Sequence, residues 1–158
     1  MIEVKKFETR KDIKVMGFNT KTDMQNASKD CGDIWHKFDE YWGKGYFKTK
    51  NEYYGISHDY DEKTGKFSYM AAVTLEDDEK PYEEMETLNI PQAYYAVFEH
   101  VGDVKTMSQT FNKIFQEWLP NSEYTYDPKG KDFELYNEDF KPHQKESKVY
   151  IYLPVIKK

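Results

Sequence analysis

Met24, Ala27, Cys31, Ile34, Trp35 and Phe38 follow one another at steps of 3, 4, 3, 1 and 3 residues, and Val104, Met107, Phe111, Ile114, Phe115 and Trp118 repeat those steps with each member displaced by 80. Each set marks one apolar stripe of an amphipathic helix. Asp23 and Asp103, also 80 apart, stand before the two stripes as N-caps. Segments 133–137 and 149–153 lie 80 residues after 53–57 and 69–73, and all four read as strands. Helical periodicity alone is common to most amphipathic helices. A constant offset across cap, helix and two strands is far more restrictive, and it predicts a duplicated strand–helix–strand–strand unit. The expected fold is therefore α+β: an antiparallel sheet with two helices on one face, pseudo-two-fold symmetric. The first repeat covers about 1–75 and the second about 88–158 of a single domain spanning 1–158. Neither copy can bury its helical stripe alone, so both should share one core.

The connecting segments fill in this frame. Weak alternation over residues 2–8 and the Ile13-Val15-Gly17-Phe18 stretch predict two short strands or one broken one. Gly32 within the first helix suggests a close approach to another element, and Gly43 and Gly45 end that helix. Between the strands at 53–60 and 67–75, Asp61-Glu62-Lys63-Thr64-Gly65 has turn chemistry. The acidic run Glu76 to Pro81 reads as a solvated connector, 94–100 as a strand, and Pro120 as the stop of the second helix.

Composition removes several function classes. A formal charge of −6 argues against a nucleic-acid or anionic-membrane surface. One cysteine, Cys31, excludes an internal disulfide and fits a reducing compartment; it sits in a helical stripe and reads as a small buried residue. No signal-like apolar segment opens the chain and no apolar run reaches membrane-spanning length, so a cytoplasmic location is expected. His36, His58, His100 and His143 have no metal-ligand spacing, and no nucleophile elbow, P-loop or dinucleotide fingerprint occurs. No metal or cofactor is expected.

Aromatic residues make up 17% of the chain, 14 of them Tyr, and one carboxylate falls among them. Alternation in Phe133-Glu134-Leu135-Tyr136 puts Glu134 and Tyr136 on one strand face. At the 80-residue offset their counterparts are Tyr54 and Ile56, so the second copy carries a carboxylate where the first carries an aromatic ring. Holding that group charged among rings is costly unless a cation docks there or it stays wet at a rim. A symmetry broken at one matched place marks a candidate site.

Four ordered segments, Tyr94 to Gly102, Ile114 to Pro120, Asp132 to Tyr136 and Val149 to Val155, resemble the GyrI-like small-molecule-binding domain, also found as the effector-binding domain of AraC-type and MerR-type bacterial regulators. Over residues 1–75 the likeness rests mainly on the repeat. The resemblance implies an aromatic-lined cleft with one acidic residue, which falls on Glu134, and a terminal-strand tyrosine that falls on Tyr150 or Tyr152. Tyr54, Tyr136, Trp35 and Trp118 are further candidates for the walls. The expected ligand is a hydrophobic, often cationic, small molecule. Two other functions are implied: hydrolysis of reactive cyclopropane-containing compounds by Glu134 with Tyr136, and a protein interaction of the gyrase-restraining type, with no partner specified. The motifs leave no room for a helix-turn-helix, so direct DNA binding is not expected.

Overall fold

The computed structural model describes residues 2–158. The chain runs β1 (Lys6–Arg10), β2 (Ile13–Asp23), α1 (Ala27–Gly43), β3 (Tyr53–His58), β4 (Lys66–Thr74), β5 (Glu86–Ile90) and β6 (Ala93–Val101). A helical stretch follows in four pieces: a 3-10 turn (Val104–Thr106), α2 (Met107–Lys113), a π-helical turn (Ile114–Trp118) and α3 (Leu119–Asn121). Strands β7 (Tyr124–Tyr126), β8 (Asp132–Tyr136) and β9 (Lys148–Lys157) complete it. The chain divides into a central unit, Ile13–Ile90, and a terminal unit formed by the residues through Asp12 with Pro91–Lys158.

In the central unit the strands lie in the order β3-β4-β2-β5, every neighbour antiparallel. Phe38 of α1 is 2% exposed and packs with Met16, Phe18, Phe47, Ala71 and Val73, while Ile34, Trp35 and Tyr41 pack around that cluster. In the terminal unit the order is β1-β6-β9-β8, with β7 also on β9, again antiparallel. The α+β architecture and its duplication thus stand as the periodicity predicts.

The repeat is longer than the sequence suggests. Strand β5 begins 80 residues after β1, and β6 begins 80 after β2, so each copy is strand–strand–helix–strand–strand. The opening strands are exchanged: Lys6 of β1 pairs with Val97 of β6, and Ile90 of β5 pairs with Ile13 of β2. The sequence does not mark Glu86–Ile90 as a strand, because a mostly exposed edge segment shows little apolar alternation.

The pairing register corrects the counterpart of Glu134. Glu134 pairs with Ile151, and Gly55 pairs with Ala71. Ile151 follows Ala71 by 80, whereas Glu134 follows Gly55 by 79. A shift of one residue along a strand exchanges its two faces. The counterparts of Glu134 and Tyr136 are therefore Gly55 and Ser57, not Tyr54 and Ile56.

Smaller expectations also change. Met24 precedes α1 and is 72% exposed, while Val104 and Phe115 are 43% and 37% exposed. Pro120 lies inside α3, one residue before the helical stretch ends at Asn121. A Cβ on Gly32 would meet nothing within 4 Å; the close approach is at Gly17, whose Cβ would sit 2.1 Å from the Ala71 carbonyl oxygen.

Candidate functional site

Two faces of the terminal unit differ in chemistry. Directly paired residues share a face, so Glu134, Ile151 and Phe98 lie together. The Phe98 ring meets Trp118 edge-on at 5.0 Å, which identifies this as the face that carries the helical segment. His100, two residues along and 3% exposed, ties that segment to β6. Its Nε2 is 2.8 Å from the Asp103 carbonyl oxygen, which can only accept, so Nε2 carries the proton and Nδ1 accepts from the Thr110 hydroxyl at 2.7 Å.

On this helix-bearing face β8 presents Asp132, Glu134 and Tyr136 by alternation. Glu134 and Tyr136 are each 8% exposed, and the Tyr136 hydroxyl donates to Glu134 Oε1 at 2.7 Å. A phenol donor orients a carboxylate without neutralising it. Phe140 meets the Tyr136 ring edge-on at 5.0 Å and limits its rotation. Asp132, absent from the sequence-based candidates, accepts from the Tyr126 hydroxyl at 2.7 Å. Burial raises its carboxyl to about 6, with the Tyr126 hydrogen bond pulling the other way. The same pairing, and above all burial, push the Tyr126 phenol well above its ordinary value. Composition gave no sign of Asp132; its place two residues before Glu134 was the available signal.

The two terminal-strand tyrosines are not on that face. Tyr152 pairs with Phe133 and Tyr150 with Leu135, on the side opposite Glu134. The Tyr152 ring stacks on Phe133 at 4.7 Å and meets Tyr95 at 5.5 Å. The Arg10 guanidinium lies 5.1 Å from the Tyr152 centroid, so this aromatic surface already carries a resident cation. The Tyr150 hydroxyl donates to Asp139 at 2.5 Å, a bond that raises the phenol above its ordinary range. Period-2 alternation thus excludes both from the surface that holds Glu134.

Trp118 does lie on the Glu134 side, stacked on Tyr124 at 6.3 Å. In the central unit, Trp35 donates from Nε1 to the Tyr69 hydroxyl at 2.8 Å and meets Phe38 edge-on. Tyr54 is 1% exposed and pairs with Ala72, on the face turned away from α1. Within the terminal unit, then, Glu134 and Tyr136 are in contact, and Trp118 lies on the same face against Phe98 and Tyr124. Among the described residues no group of three or more His, Cys, Asp or Glu side chains is arranged to hold a metal ion, and no helix is long and apolar enough to cross a membrane.

Comparison with known proteins places the chain in a family. The transcriptional regulator BrlR of Pseudomonas aeruginosa is 32% identical over 104 residues, which is 65% of this chain and 37% of that protein. The chain therefore spans little more than a third of that relative's length. The structure of SAV2435 bound to tetraphenylphosphonium superposes with a TM-score of 0.77 at 21% identity, covering 96% of this chain and 93% of that one. A hydrolase encoded by lin2189 of Listeria innocua shares the fold with a TM-score of 0.56 at 9% identity, over 96% of this chain and 91% of that one. A family model for the GyrI-like small molecule binding domain matches residues 5–156, and on that match the chain belongs to the GyrI-like family of small-molecule-binding domains.

Proposed function

We propose that the terminal unit binds hydrophobic organic cations on its helix-bearing face, with Glu134 as counter-charge and Tyr136 and Trp118 among the apolar surfaces. The observation that carries this reading is a carboxylate only 8% exposed and oriented by the Tyr136 hydroxyl on an aromatic-bearing face. An anion withdrawn from water gains most when a cation joins it, and ring faces beside it add about 2 kcal/mol for a desolvated cation. Flat ring surfaces impose little shape selection, so the site should tolerate varied ligands. The tetraphenylphosphonium complex of SAV2435 supports the same chemistry by analogy of fold.

The test is calorimetric titration of wild type and Glu134→Gln with tetraphenylphosphonium and with neutral triphenylphosphine oxide. Removing the charge should weaken the cation about tenfold and the neutral compound less than about twofold. Equal losses for both would rule out charge pairing. A hydrolase reading rests on the same Glu134–Tyr136 pair and needs a water held against the carboxylate as well. Titration with a reactive cyclopropane-containing compound separates the two, because turnover gives a continuing heat where binding saturates.

A further inference from the structure

We propose that Asp132 is a second anionic anchor on the ligand face and that the preferred ligand is an elongated dication. The proposal builds on Glu134 as counter-charge and specifies the ligand class. Asp132 and Glu134 are two residues apart on one strand face, which separates their backbones by about 6.6 Å. Each accepts a hydrogen bond from a tyrosine hydroxyl at 2.7 Å, Tyr126 for the former and Tyr136 for the latter.

An aromatic row leads from the helical segment to Asp132. Phe111 and Phe115 stack with centroids 6.4 Å apart and 12° between planes, and Phe115 stacks on Tyr126 at 6.3 Å and 29°. Phe115 stays 37% exposed, so an open apolar surface adjoins the carboxylate. Two local irregularities accompany this row. The π-helical turn Ile114–Trp118 carries Phe115. Between the pairs Tyr126↔Val155 and Phe133↔Tyr152 the chain advances seven residues while β9 advances three, so four extra residues loop out between Tyr126 and Asp132. Helix bulges and strand bulges of this kind redirect side chains and concentrate at binding sites. Neither irregularity has an equivalent in the central unit, where α1 runs unbroken for 17 residues. A ligand with one positive centre at Glu134 would place a second, several ångströms on, against Asp132 and the Tyr126–Phe115 rings.

The experiment titrates the whole chain with hexamethonium and with hexyltrimethylammonium, its counterpart with a single charge. Asp132→Asn should weaken hexamethonium about tenfold and leave hexyltrimethylammonium within about twofold, whereas Glu134→Gln should weaken both. Tyr126→Phe, which keeps the carboxylate and removes its orienting donor, should weaken only hexamethonium, by about threefold; it serves where Asp132→Asn does not fold. Loss of both ligands with Glu134→Gln, but equal or no effect of Asp132→Asn and Tyr126→Phe on the two, overturns the second anchor and spares the first. No effect of Glu134→Gln on either ligand overturns the counter-charge reading, and the second anchor with it.

Discussion

The two halves of the duplication solve the same packing problem differently. Where the terminal unit has Asp132, Glu134 and Tyr136 on the face that carries its helical segment, the central unit has Tyr53, Gly55 and Ser57 on the face that carries α1. Its helix-facing surface is closed by Phe38 stacked on Phe47 at 4.5 Å, over Phe18 and Ala71. One copy has kept a solid core, and the other has traded part of its core for polar groups, a π-helical turn and a looped-out strand. Polar groups on a helix-facing surface sacrifice the burial that would stabilise it. Retaining them in one copy alone is what makes the terminal unit the place to look for ligand chemistry.

The sharpest way to break this contrast is Gly55→Glu, which puts a carboxylate at the position matching Glu134. Gly55 is buried and pairs with Ala71, itself 0% exposed. No orienting tyrosine stands two residues on, since Ser57 occupies that place. The variant should lose about 3–5 kcal/mol of stability in urea denaturation and gain no cation binding. A loss below about 1 kcal/mol would mean the central unit also tolerates a charge there, and the two faces would not differ as described.

Much of this was readable in the chain before any coordinates. The 80-residue offset gave the duplication because helical stripes survive divergence, being fixed by burial at Phe38 and Ile114. Glu134 was visible as a carboxylate in an apolar strand. Its true counterpart was not, because β3 and β8 differ in offset by one residue and only the pairing register shows it. Tyr150 and Tyr152 looked equivalent to pocket residues for a related reason. Without the register, nothing in Val149-Tyr150-Ile151-Tyr152 says whether tyrosine or isoleucine shares a face with Glu134. The exchange of β1 and β5 was equally hidden, since strand order carries no local signal.

Acid titration sharpens the comparison next. Asp132 in the terminal unit is raised to about 6 by burial. In the central unit Glu79 is lowered, chiefly by its hydrogen bond with Lys50 at 2.5 Å. The signs are opposite. A carboxyl raised in the folded state binds its proton more tightly there than in the unfolded chain, so it stabilises the fold when protonated. That contribution is full below the unfolded value of 3.8 and is lost as pH rises through about 6. Glu79 instead contributes stability above its unfolded value and loses it as pH falls. Denaturation at a series of pH values should therefore show Asp132→Asn gaining on wild type by roughly 2–3 kcal/mol between pH 4 and 7. A difference that stays flat across that range would show that Asp132 is well solvated and that the polar face of the terminal unit costs little.

The smallest expected effect lies at the helix starts. Asp103 has extended backbone at φ −66° and ψ 137°, and its Oδ1 accepts from the Lys105 N–H at 2.9 Å, so its side chain satisfies a donor that the first turn leaves open. Asp23 occupies the corresponding place in the central unit, and its Oδ1 accepts from the Asn26 N–H at 2.8 Å; Asn26 directly before α1 and Thr106 directly before α2 make no capping bond from their side chains. Both helical segments thus open on an aspartate cap, and α1 is held in addition by the packing of Phe38. Asp103→Ala should cost about 1 kcal/mol, and Asn26→Ala less than about 0.5 kcal/mol, since it removes only an exposed bond from its Nδ2 to Asp23. Both are measurable as shifts in thermal midpoint. Because the Lys105 N–H loses its acceptor, amide exchange across Val104–Lys113 should quicken in Asp103→Ala while α1 stays unchanged. Equal acceleration in both helices would mean that the substitution loosens the whole fold and that the Asp103 bond is not a local cap of its own helix.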